Sequence, residues 1–170
     1  MVRIIFIRGA PAVGKTTATR QIIKTLKTKH NLDCAYICED NFRKQMQFKY
    51  RSEDLAAHRN SFELVKAVIL KLMELDDYDL IFVEGLFRYK EIMERYSKFI
   101  SENNFDSLVF QFELDLEEMK KRDSELRNGK SKKDIEEVKK DIDSYTPDNA
   151  IIIKTNKAVD DIVKEVIGRI

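Results

Sequence analysis

Residues 9–16 have the sequence GAPAVGKT, which matches the pattern G-x-x-x-x-G-K-[ST] at every fixed position. The segment follows an apolar run at 2–8 and precedes an amphipathic stretch at 16–29, in the strand, loop and helix order that a phosphate-binding loop requires. Its glycines let backbone N–H groups wrap around phosphate, and the first turn of the helix adds unpaired amides. The pattern therefore predicts a site for a nucleoside triphosphate.

The same pattern assigns roles to individual residues. Lys15 should reach the β and γ phosphates, and the Thr16 hydroxyl should bind Mg²⁺. A glycine-rich turn without a ligand is the alternative, but the full match in this context argues against it. The expected cofactors are ATP and Mg²⁺, and the predicted nucleotide-binding residues are Gly9, Ala10, Pro11, Ala12, Val13, Gly14, Lys15, Thr16 and Thr17.

Other classes of nucleotide-binding protein carry signatures that are missing from this chain. A GTPase needs an Asn-Lys-x-Asp motif to read its base, and the nearest segment, at 156–160, has one residue too many and follows the last predicted strand. A motor ATPase with a helical lid domain, or a transport ATPase with its signature loop, needs more chain than 170 residues provide. We therefore exclude these classes.

Five short runs rich in Ile, Val, Phe and Leu alternate with longer amphipathic stretches. The runs are hydrophobic throughout, which is typical of parallel strands buried on both faces. Strands are predicted at 2–8, 34–38, 80–84, 107–112 and 150–154, and helices at 16–29, 53–75, 89–100, 116–126, 132–142 and 159–167. The alternation predicts an α/β fold, a three-layer, doubly wound, parallel five-stranded sheet, and the phosphate loop indicates the P-loop NTPase type. A length of 170 residues predicts a single domain spanning 1–170.

The charge and the cysteine content of the chain indicate which binding partners and which cellular compartment to expect. The chain has 31 Lys and Arg against 30 Asp and Glu, a net charge of +1, whereas an extended grip on nucleic acid needs a strongly basic face. Nucleic acid is not the favoured partner. A basic stripe of Arg20, Lys24 and Lys27 is nevertheless one that a polynucleotide substrate could use. No apolar run reaches the roughly 18 to 20 residues of a membrane helix. Two lone cysteines, Cys34 and Cys38, fit a reducing compartment, so we expect a cytoplasmic protein.

An acid and a base three residues apart follow the second predicted strand. Ligands of parallel sheets bind beyond the carboxyl ends of the strands, and one helical turn would place Asp40 and Arg43 on a common face. Asp40 can then accept a hydroxyl proton, while Arg43 holds an anionic part of the substrate or the γ-phosphate. The alternative is that Asp40 only caps the next helix and Arg43 is solvated. The position after strand two of a P-loop domain favours the functional role.

The third predicted strand ends in an acid, Glu84, which is followed by Gly85. A hydrophobic strand that ends in an acid is the Walker B form, and Glu84 should orient the metal shell directly or through a bound water. Gly85 would let the backbone pass close to substrate, and Arg88 could clamp an anionic group of it. Many buried strands end in an acid by chance, but the phosphate loop favours the functional interpretation.

Taken together, GAPAVGKTT, D-N-F-R at 40–43 and FVEGLFR at 82–88 resemble the small P-loop kinases that include zeta toxins, polynucleotide kinase, chloramphenicol phosphotransferase and adenylylsulfate kinase. Members of that group transfer the phosphoryl of ATP to a hydroxyl, so the resemblance implies that Asp40 is the base and Arg43 its partner. The K-G-L-Y run and the I-S-P segment of adenylylsulfate kinases are absent. The resemblance therefore implies the reaction type and leaves the acceptor open.

Residues 117–141 resemble the mobile lid of the same kinases. They hold nine Lys or Arg and eight acids around Gly129, as a charge-dense helix, a break and a second charge-dense helix. Arg122 and Arg127 match the group's spaced lid arginines, which close over the phosphates. The alternative for most of these charges is a solvated surface with ion pairs four residues apart. The strand at 150–154 resembles the group's last strand, whose trailing loop, here with Thr155, borders the adenine.

These expectations combine into a kinase that moves the γ-phosphoryl of Mg-ATP to a hydroxyl of a small molecule or nucleotide. Its partners are a nucleoside triphosphate and a hydroxyl-bearing acceptor, which side chains between 42 and 59 would select. Two alternatives stay open, a nucleotide-switched ATPase that binds a protein partner and a nucleic-acid 5′-hydroxyl kinase. His30 and His58 have no partnering acid or cysteine nearby in the sequence, so neither is assigned a role.

Overall fold

A parallel sheet with helices on both sides forms the described part of the chain, which comprises residues 2–46, 54–126 and 135–170 of a computed structural model. The strands are β1 Arg3–Gly9, β2 Cys34–Cys38, β3 Leu80–Gly85, β4 Asp106–Glu113 and β5 Ala150–Lys154. The helices are α1 Lys15–His30, α2 Glu39–Gln45, α3 Leu55–Leu75, α4 Lys90–Glu102, α5 Leu116–Leu126, α6 Ile135–Asp143 and α7 Val159–Ile167.

All five strands run parallel, in the order β2-β3-β1-β4-β5. The chain moves outward from β1 to β2, returns to place β3 between them, and then crosses to the other side of β1. In the register of the sheet, Arg8 lies opposite Gly85, and Cys38 lies opposite Glu84. The loop after β1, the start of α2 and the end of β3 therefore share one edge of the sheet, where ligands bind in open α/β folds.

Helices cover both faces of this sheet. On one face α1, α5, α6 and α7 pack around Ile5, Ile7 and Phe110, and on the other α3 and α4 pack around Ile4 and Phe6. Burying each Ile or Phe fully stabilises the fold by about 1.5 to 3 kcal/mol, so residues that alternate between the two faces hold both layers in place. The predicted α/β fold with three layers and five parallel strands is confirmed.

The element missing from the predicted set is α2. It has seven residues and begins where β2 ends, so it is too short to display a periodic hydrophobic face. The other predicted elements agree with the structure to within a few residues at their ends. Two predicted helices, at 53–75 and 132–142, begin at residues that lie outside the described ones. Of the helices within 2–46, 54–126 and 135–170, none combines the length and apolar character that crossing a bilayer demands.

Candidate active site

The phosphate loop connects the end of β1 to the start of α1. A Cβ on Gly9 would lie 2.6 Å from the backbone oxygen of Phe112, so this position needs a glycine. Ala12 and Gly14 have φ angles of 60° and 90°, in the left-handed region, a conformation that anion-binding loops use to point successive N–H groups to one side. Of the predicted loop residues, Ala10 and Val13 are buried, Pro11, Ala12 and Gly14 are half-buried, and Thr16 and Thr17 are exposed.

The Lys15 ammonium group lies against the start of the phosphate loop. Its Nζ donates hydrogen bonds to the backbone oxygens of Gly9 at 2.8 Å and Ala10 at 2.9 Å. Burial lowers the pKa of Lys15, while the nearby carboxylates of Asp40 and Glu84 act in the opposite direction. The proximity of these acids to the loop lysine places all three side chains at the same edge of the sheet.

Glu84 links the end of β3 to α1 and to β2. It is 2% exposed, and its Oε1 accepts a hydrogen bond from Thr16 Oγ1 at 2.5 Å. Its Oε2 accepts a second hydrogen bond from the Tyr36 hydroxyl at 2.6 Å. Burial, together with this bond to Glu84, raises the pKa of Tyr36 far above its ordinary value, so Tyr36 stays a neutral donor.

The same two oxygen-bearing side chains suit a magnesium ion. Mg²⁺ prefers hard oxygen ligands and is usually held by one or two protein groups together with waters and substrate phosphates. The Thr16 hydroxyl and the Glu84 carboxylate lie side by side at the mouth of the phosphate loop. The residues present therefore fit the predicted cation.

Asp40 and Arg43 lie on consecutive turns of α2, as the spacing predicted. The Arg43 guanidinium donates from Nη2 to Asp40 Oδ1, and its Nε lies 3.1 Å from Glu39 Oε1. Burial alone would raise the pKa of Asp40, but the positive charges of Arg43 and Lys15 have the larger effect. The pKa of Asp40 therefore lies below its ordinary value. Asp40 is therefore an ionised, half-buried carboxylate beside the phosphate loop.

Arg43 itself is 6% exposed and faces protein groups. Besides the two acids of its own helix, it contacts His58 on α3, with 3.0 Å between Arg43 Nη1 and His58 Nε2. In this conformation its charge is directed into the protein. The predicted contact of Arg43 with an anionic acceptor or with the γ-phosphate stays a prediction.

Glu39 fills the space over Gly85. A Cβ on Gly85 would lie 2.9 Å from Glu39 Oε2 and 3.0 Å from Glu39 Cβ. Glu39 is fully buried, and burial raises its pKa to about 7 against the opposing charge of Arg43. Gly85 was predicted to let the backbone pass close to substrate, whereas in the structure the group next to it is the Glu39 side chain.

Arg88 joins the loop after β3 to helix α6. Its Nε lies 2.5 Å from Asp141 Oδ2, and its Nη2 lies 2.6 Å from Glu137 Oε1. Burial alone would lower the pKa of Arg88, but its hydrogen bonds to the two carboxylates have the larger effect. The pKa of Arg88 is therefore above its ordinary value. The side chain is 7% exposed, so both acids of α6 stand between it and solvent. The predicted clamping of an acceptor by Arg88 stays a prediction.

Arg122, which was predicted to lie in the lid, contacts Thr155, which was predicted to border the adenine. Arg122 of α5 donates from Nη2 to the backbone oxygen of Thr155 at 3.2 Å and from Nε to Glu118 Oε1 at 3.0 Å. Thr155 is fully buried, and its hydroxyl donates to the backbone oxygen of Glu113 at 3.1 Å. The other predicted lid arginine, Arg127, lies outside the described residues.

Three residues of this site were not predicted from the sequence, namely Tyr36, Glu39 and His58. Tyr36 stands in the strand CAYIC, which reads as a buried apolar segment, and its hydroxyl was the one polar signal there. Glu39 directly precedes Asp40, so its presence was visible but its burial was not. His58 lies 15 residues beyond Arg43, and no local pattern connects the two.

Comparisons with known proteins bear on the fold. No protein-family model matches the chain, and no curated protein matches its sequence. The Mycobacterium tuberculosis APS kinase CysC in complex with AMPPNP and APS is similar with a TM-score of 0.72 and 15% identity, over 98% of this chain and 95% of that one. Chaetomium thermophilum Kti12 in complex with ADP-AlF3 is similar with a TM-score of 0.66 and 13% identity, over 97% of both chains.

A gluconokinase from Sinorhizobium meliloti 1021 is a third similar structure, with a TM-score of 0.67 and 9% identity over 96% of this chain and 89% of that one. At identities this low the likeness concerns the fold, which extends over nearly the whole of each chain. The chain has the fold of the small P-loop kinases, so the predicted resemblance is confirmed at that level.

Proposed function

We propose that this protein is a P-loop kinase that moves the γ-phosphoryl of Mg-ATP to a hydroxyl of a small-molecule or nucleotide acceptor. The observation that carries the proposal is the ionised, half-buried Asp40 beside Lys15 and Glu84 at one edge of the sheet. A protein that only binds nucleotide needs the loop lysine and the cation ligands. A protein that transfers the phosphoryl group to a hydroxyl also needs a carboxylate beside these groups to accept the hydroxyl proton.

The reaction follows from these positions. The acceptor hydroxyl oxygen forms a bond to the γ-phosphorus, the bond from that phosphorus to the β–γ bridging oxygen breaks, and ADP leaves with the electron pair. The hydroxyl proton passes to Asp40, whose low pKa makes it an orienting acceptor that takes the proton late in the transfer. Lys15 leaves the backbone oxygens of Gly9 and Ala10 for the β and γ phosphates and neutralises their charge.

The cation ligands complete the phosphate site. Thr16 and Glu84 would hold Mg²⁺, which supplies neutralisation of phosphate charge without proton transfer. Arg122 extends from α5 toward Thr155 and would approach the nucleotide from the other side. The remaining contribution is positioning, because phosphoryl transfer needs little covalent help from protein groups.

The similar structures support the proposal in general terms. Two of the three reported above are named kinases, and the CysC structure holds AMPPNP together with APS. The Kti12 structure holds ADP-AlF3. A bound nucleotide or nucleotide analogue is thus common to two of them, while the acceptor differs or is not specified. We therefore assign the reaction type to this chain and no particular acceptor.

A nucleotide-switched ATPase that binds a protein partner is the second candidate. The observation that favours it is the pairing of Arg88 with Glu137 and Asp141, which ties the nucleotide edge of the sheet to α6. A change at the phosphates could then move α6 and alter a surface that a partner reads. Such a protein would hydrolyse ATP in response to a protein and would not need Asp40.

The deciding experiment is a transfer screen with γ-labelled ATP and Mg²⁺. The acceptors are nucleosides, adenylylsulfate, gluconate, nucleotide sugars, aminoglycoside-like and chloramphenicol-like drugs, and oligonucleotides with a 5′-hydroxyl. We expect label in one acceptor class with the wild type, none with Lys15→Ala, and transfer at least about 100-fold slower with Asp40→Asn. Label in the oligonucleotide alone would select the nucleic-acid kinase. ATP loss that no acceptor stimulates and that Asp40→Asn leaves intact would overturn the kinase proposal.

A further inference from the structure

His58 occupies a fully buried position near the start of α3. Its Nε2 lies 3.0 Å from Arg43 Nη1, and its Nδ1 lies 3.6 Å from Glu39 Oε1. The ring also packs edge-on against Tyr89, with 5.1 Å between the ring centroids. A buried imidazole with three polar or aromatic neighbours is held in one orientation.

The chemistry of the partners fixes the tautomer of this imidazole. An arginine side chain has donors and no acceptor, so His58 Nε2 must accept the hydrogen bond from Arg43. The ring proton then sits on Nδ1, on the side that faces the Glu39 carboxyl group. His58 Nε2 thus offers Arg43 the acceptor that an apolar side chain would not.

Arg43 transmits this constraint to Asp40. A guanidinium is planar and rigid, so fixing Nη1 on His58 also fixes the direction in which Nη2 points. Nη2 is the atom that binds Asp40 Oδ1, while Nε faces Glu39. Rotation of the Arg43 plane would break the contact with His58 or the contact with Asp40, so the guanidinium holds Asp40 Oδ1 in one direction.

We propose that His58 is a positioning residue, which orients the Asp40 carboxylate through Arg43. This inference rests on the proposed function, because Asp40 needs a fixed orientation only if it receives the acceptor hydroxyl. The competing interpretation is that His58 merely fills space under α2. The two differ in what they require at position 58, a hydrogen-bond acceptor in the first case and a certain volume in the second.

Two variants separate these requirements. His58→Gln keeps an acceptor at about the reach of Nε2, and His58→Met keeps the volume without a comparable acceptor. With the best acceptor from the transfer screen, we expect His58→Met to lower kcat by about 10- to 100-fold with little change in the KM for ATP. His58→Gln should retain most of the wild-type kcat. His30→Met, at the end of α1, is the matched histidine control and should be silent.

The double variant His58→Met/Asp40→Asn tests whether the effect passes through Asp40. If it does, adding His58→Met to Asp40→Asn causes no further loss of kcat, because the group being positioned is already gone. Equal losses in His58→Met and His58→Gln, accompanied by equal falls in melting temperature, would mean that packing alone matters and would overturn the inference. Full activity in His58→Met would overturn it as well.

A second readout does not depend on turnover. In isotope-labelled protein, the side-chain N–H signals of Arg43, assigned by their loss in Arg43→Lys, should be individually resolved in the wild type and in His58→Gln. In His58→Met rotation should average them. Averaged signals in the wild type would overturn the inference even if the kinetics agreed with it.

The two proposals fail in different ways. If the screen yields no acceptor, the proposed function fails, and the Arg43 signals still decide whether His58 holds Arg43. If Asp40→Asn transfers phosphate at the wild-type rate, the kinase proposal stands, but Asp40 is removed from the mechanism and the positioning role of His58 fails with it. If Asp40→Asn is inactive while His58→Met is fully active, only the role of His58 fails.

Discussion

Asp40 is the single residue on which the chemical proposal depends most. It is ionised because Arg43 and Lys15 outweigh its burial, and it stands beside the phosphate loop. We expect Asp40→Asn to lower kcat by about 10² to 10⁴, the range of general-base catalysis, and to leave ATP affinity nearly unchanged. Transfer rates with labelled ATP, together with titration of a fluorescent nucleotide, measure both effects. Full transfer by the variant would remove Asp40 from the mechanism.

Tyr36 is expected to act through Glu84. In Tyr36→Phe, Glu84 Oε2 loses the hydroxyl that fixes it at 2.6 Å, so the carboxylate that would hold Mg²⁺ is less well oriented. We expect the Mg²⁺ concentration for half-maximal nucleotide binding to rise by about tenfold, with nucleotide binding in the absence of Mg²⁺ unchanged. Tyr78→Phe, at the opposite end of β3, is the control. A Mg²⁺ requirement equal to that of the wild type would speak against this role.

Glu39 is expected to make the free energy of unfolding depend on pH, in a direction that follows from its raised pKa. Its pKa is about 7 in the folded protein and about 4.5 in the unfolded chain, so between these values the folded state retains a proton that the unfolded state releases. The free energy of unfolding therefore falls as the pH rises from about 4.5 to 7, with a slope approaching 1.4 kcal/mol per pH unit. The pKa of Asp40 is lowered in the folded protein, so Asp40 changes the free energy of unfolding only at pH values below its ordinary pKa of 3.8.

The comparison with Glu39→Gln isolates this contribution. Urea unfolding at pH 5, 6 and 7 should show a steeper fall in the free energy of unfolding for the wild type than for the variant, and the difference cancels the titration of groups that do not interact with Glu39. Parallel curves would mean that Glu39 is ionised throughout this range.

At the scale of elements, the contact of α5 with the end of β5 tests the lid. Arg122 reaches the backbone oxygen of Thr155, so it already lies near the predicted adenine side. If it closes over the triphosphate, Arg122→Ala should lower kcat by at least about tenfold, more than it weakens nucleotide binding. Lys121→Ala, an exposed neighbour on the same helix, is the control. Small, equal effects of both variants on kcat would leave Arg122 as an ordinary surface residue.

The same experiment extends to Arg127, which the sequence pairs with Arg122. An effect of Arg127→Ala on kcat with little change in nucleotide affinity would place both arginines in the lid. A silent Arg127→Ala beside an impaired Arg122→Ala would restrict the role to α5.

At the scale of the whole molecule, Arg8 connects the layers. It is fully buried at the end of β1 and donates to Gln111 Oε1 on β4, to the backbone oxygen of Phe87 at 3.2 Å and to that of Ile142 at 3.0 Å. Burial lowers its pKa to about 10. Arg8→Met would leave these buried acceptors unpaired, so we expect the free energy of unfolding in urea to fall by about 2 to 5 kcal/mol.

Arg3, at the other end of the same strand, provides the matched control. Its side chain is 34% exposed and pairs with Asp106, and such pairs contribute at most about 1 kcal/mol. Equal losses for Arg3→Met and Arg8→Met would mean that the buried network of Arg8 adds nothing specific.

The sheet and the phosphate loop could be predicted from the sequence, whereas much of the site around Asp40 could not. Continuous apolar strands and the loop pattern are local signals, because burial on both faces and the wrapping of a phosphate each constrain neighbouring residues. The contacts of Arg43 with His58 and of Glu84 with Tyr36 join residues 15 and 48 positions apart. They depend on how α3 and β2 pack, and hydrophobic periodicity specifies which face is buried without specifying which polar groups meet.

The pairing of Arg88 with two carboxylates bears on how the protein would select among acceptors. An anionic acceptor bound by Arg88 has to compete with Glu137 and Asp141, so it binds only the fraction of molecules in which that pairing is broken. Its apparent dissociation constant is the intrinsic one divided by that fraction, whereas a neutral acceptor that does not use Arg88 binds every molecule. If Arg88 binds the acceptor as predicted, the closed pairing would act as a conformational filter that favours uncharged alcohols over anions, and any event that moves α6 away would relax this preference.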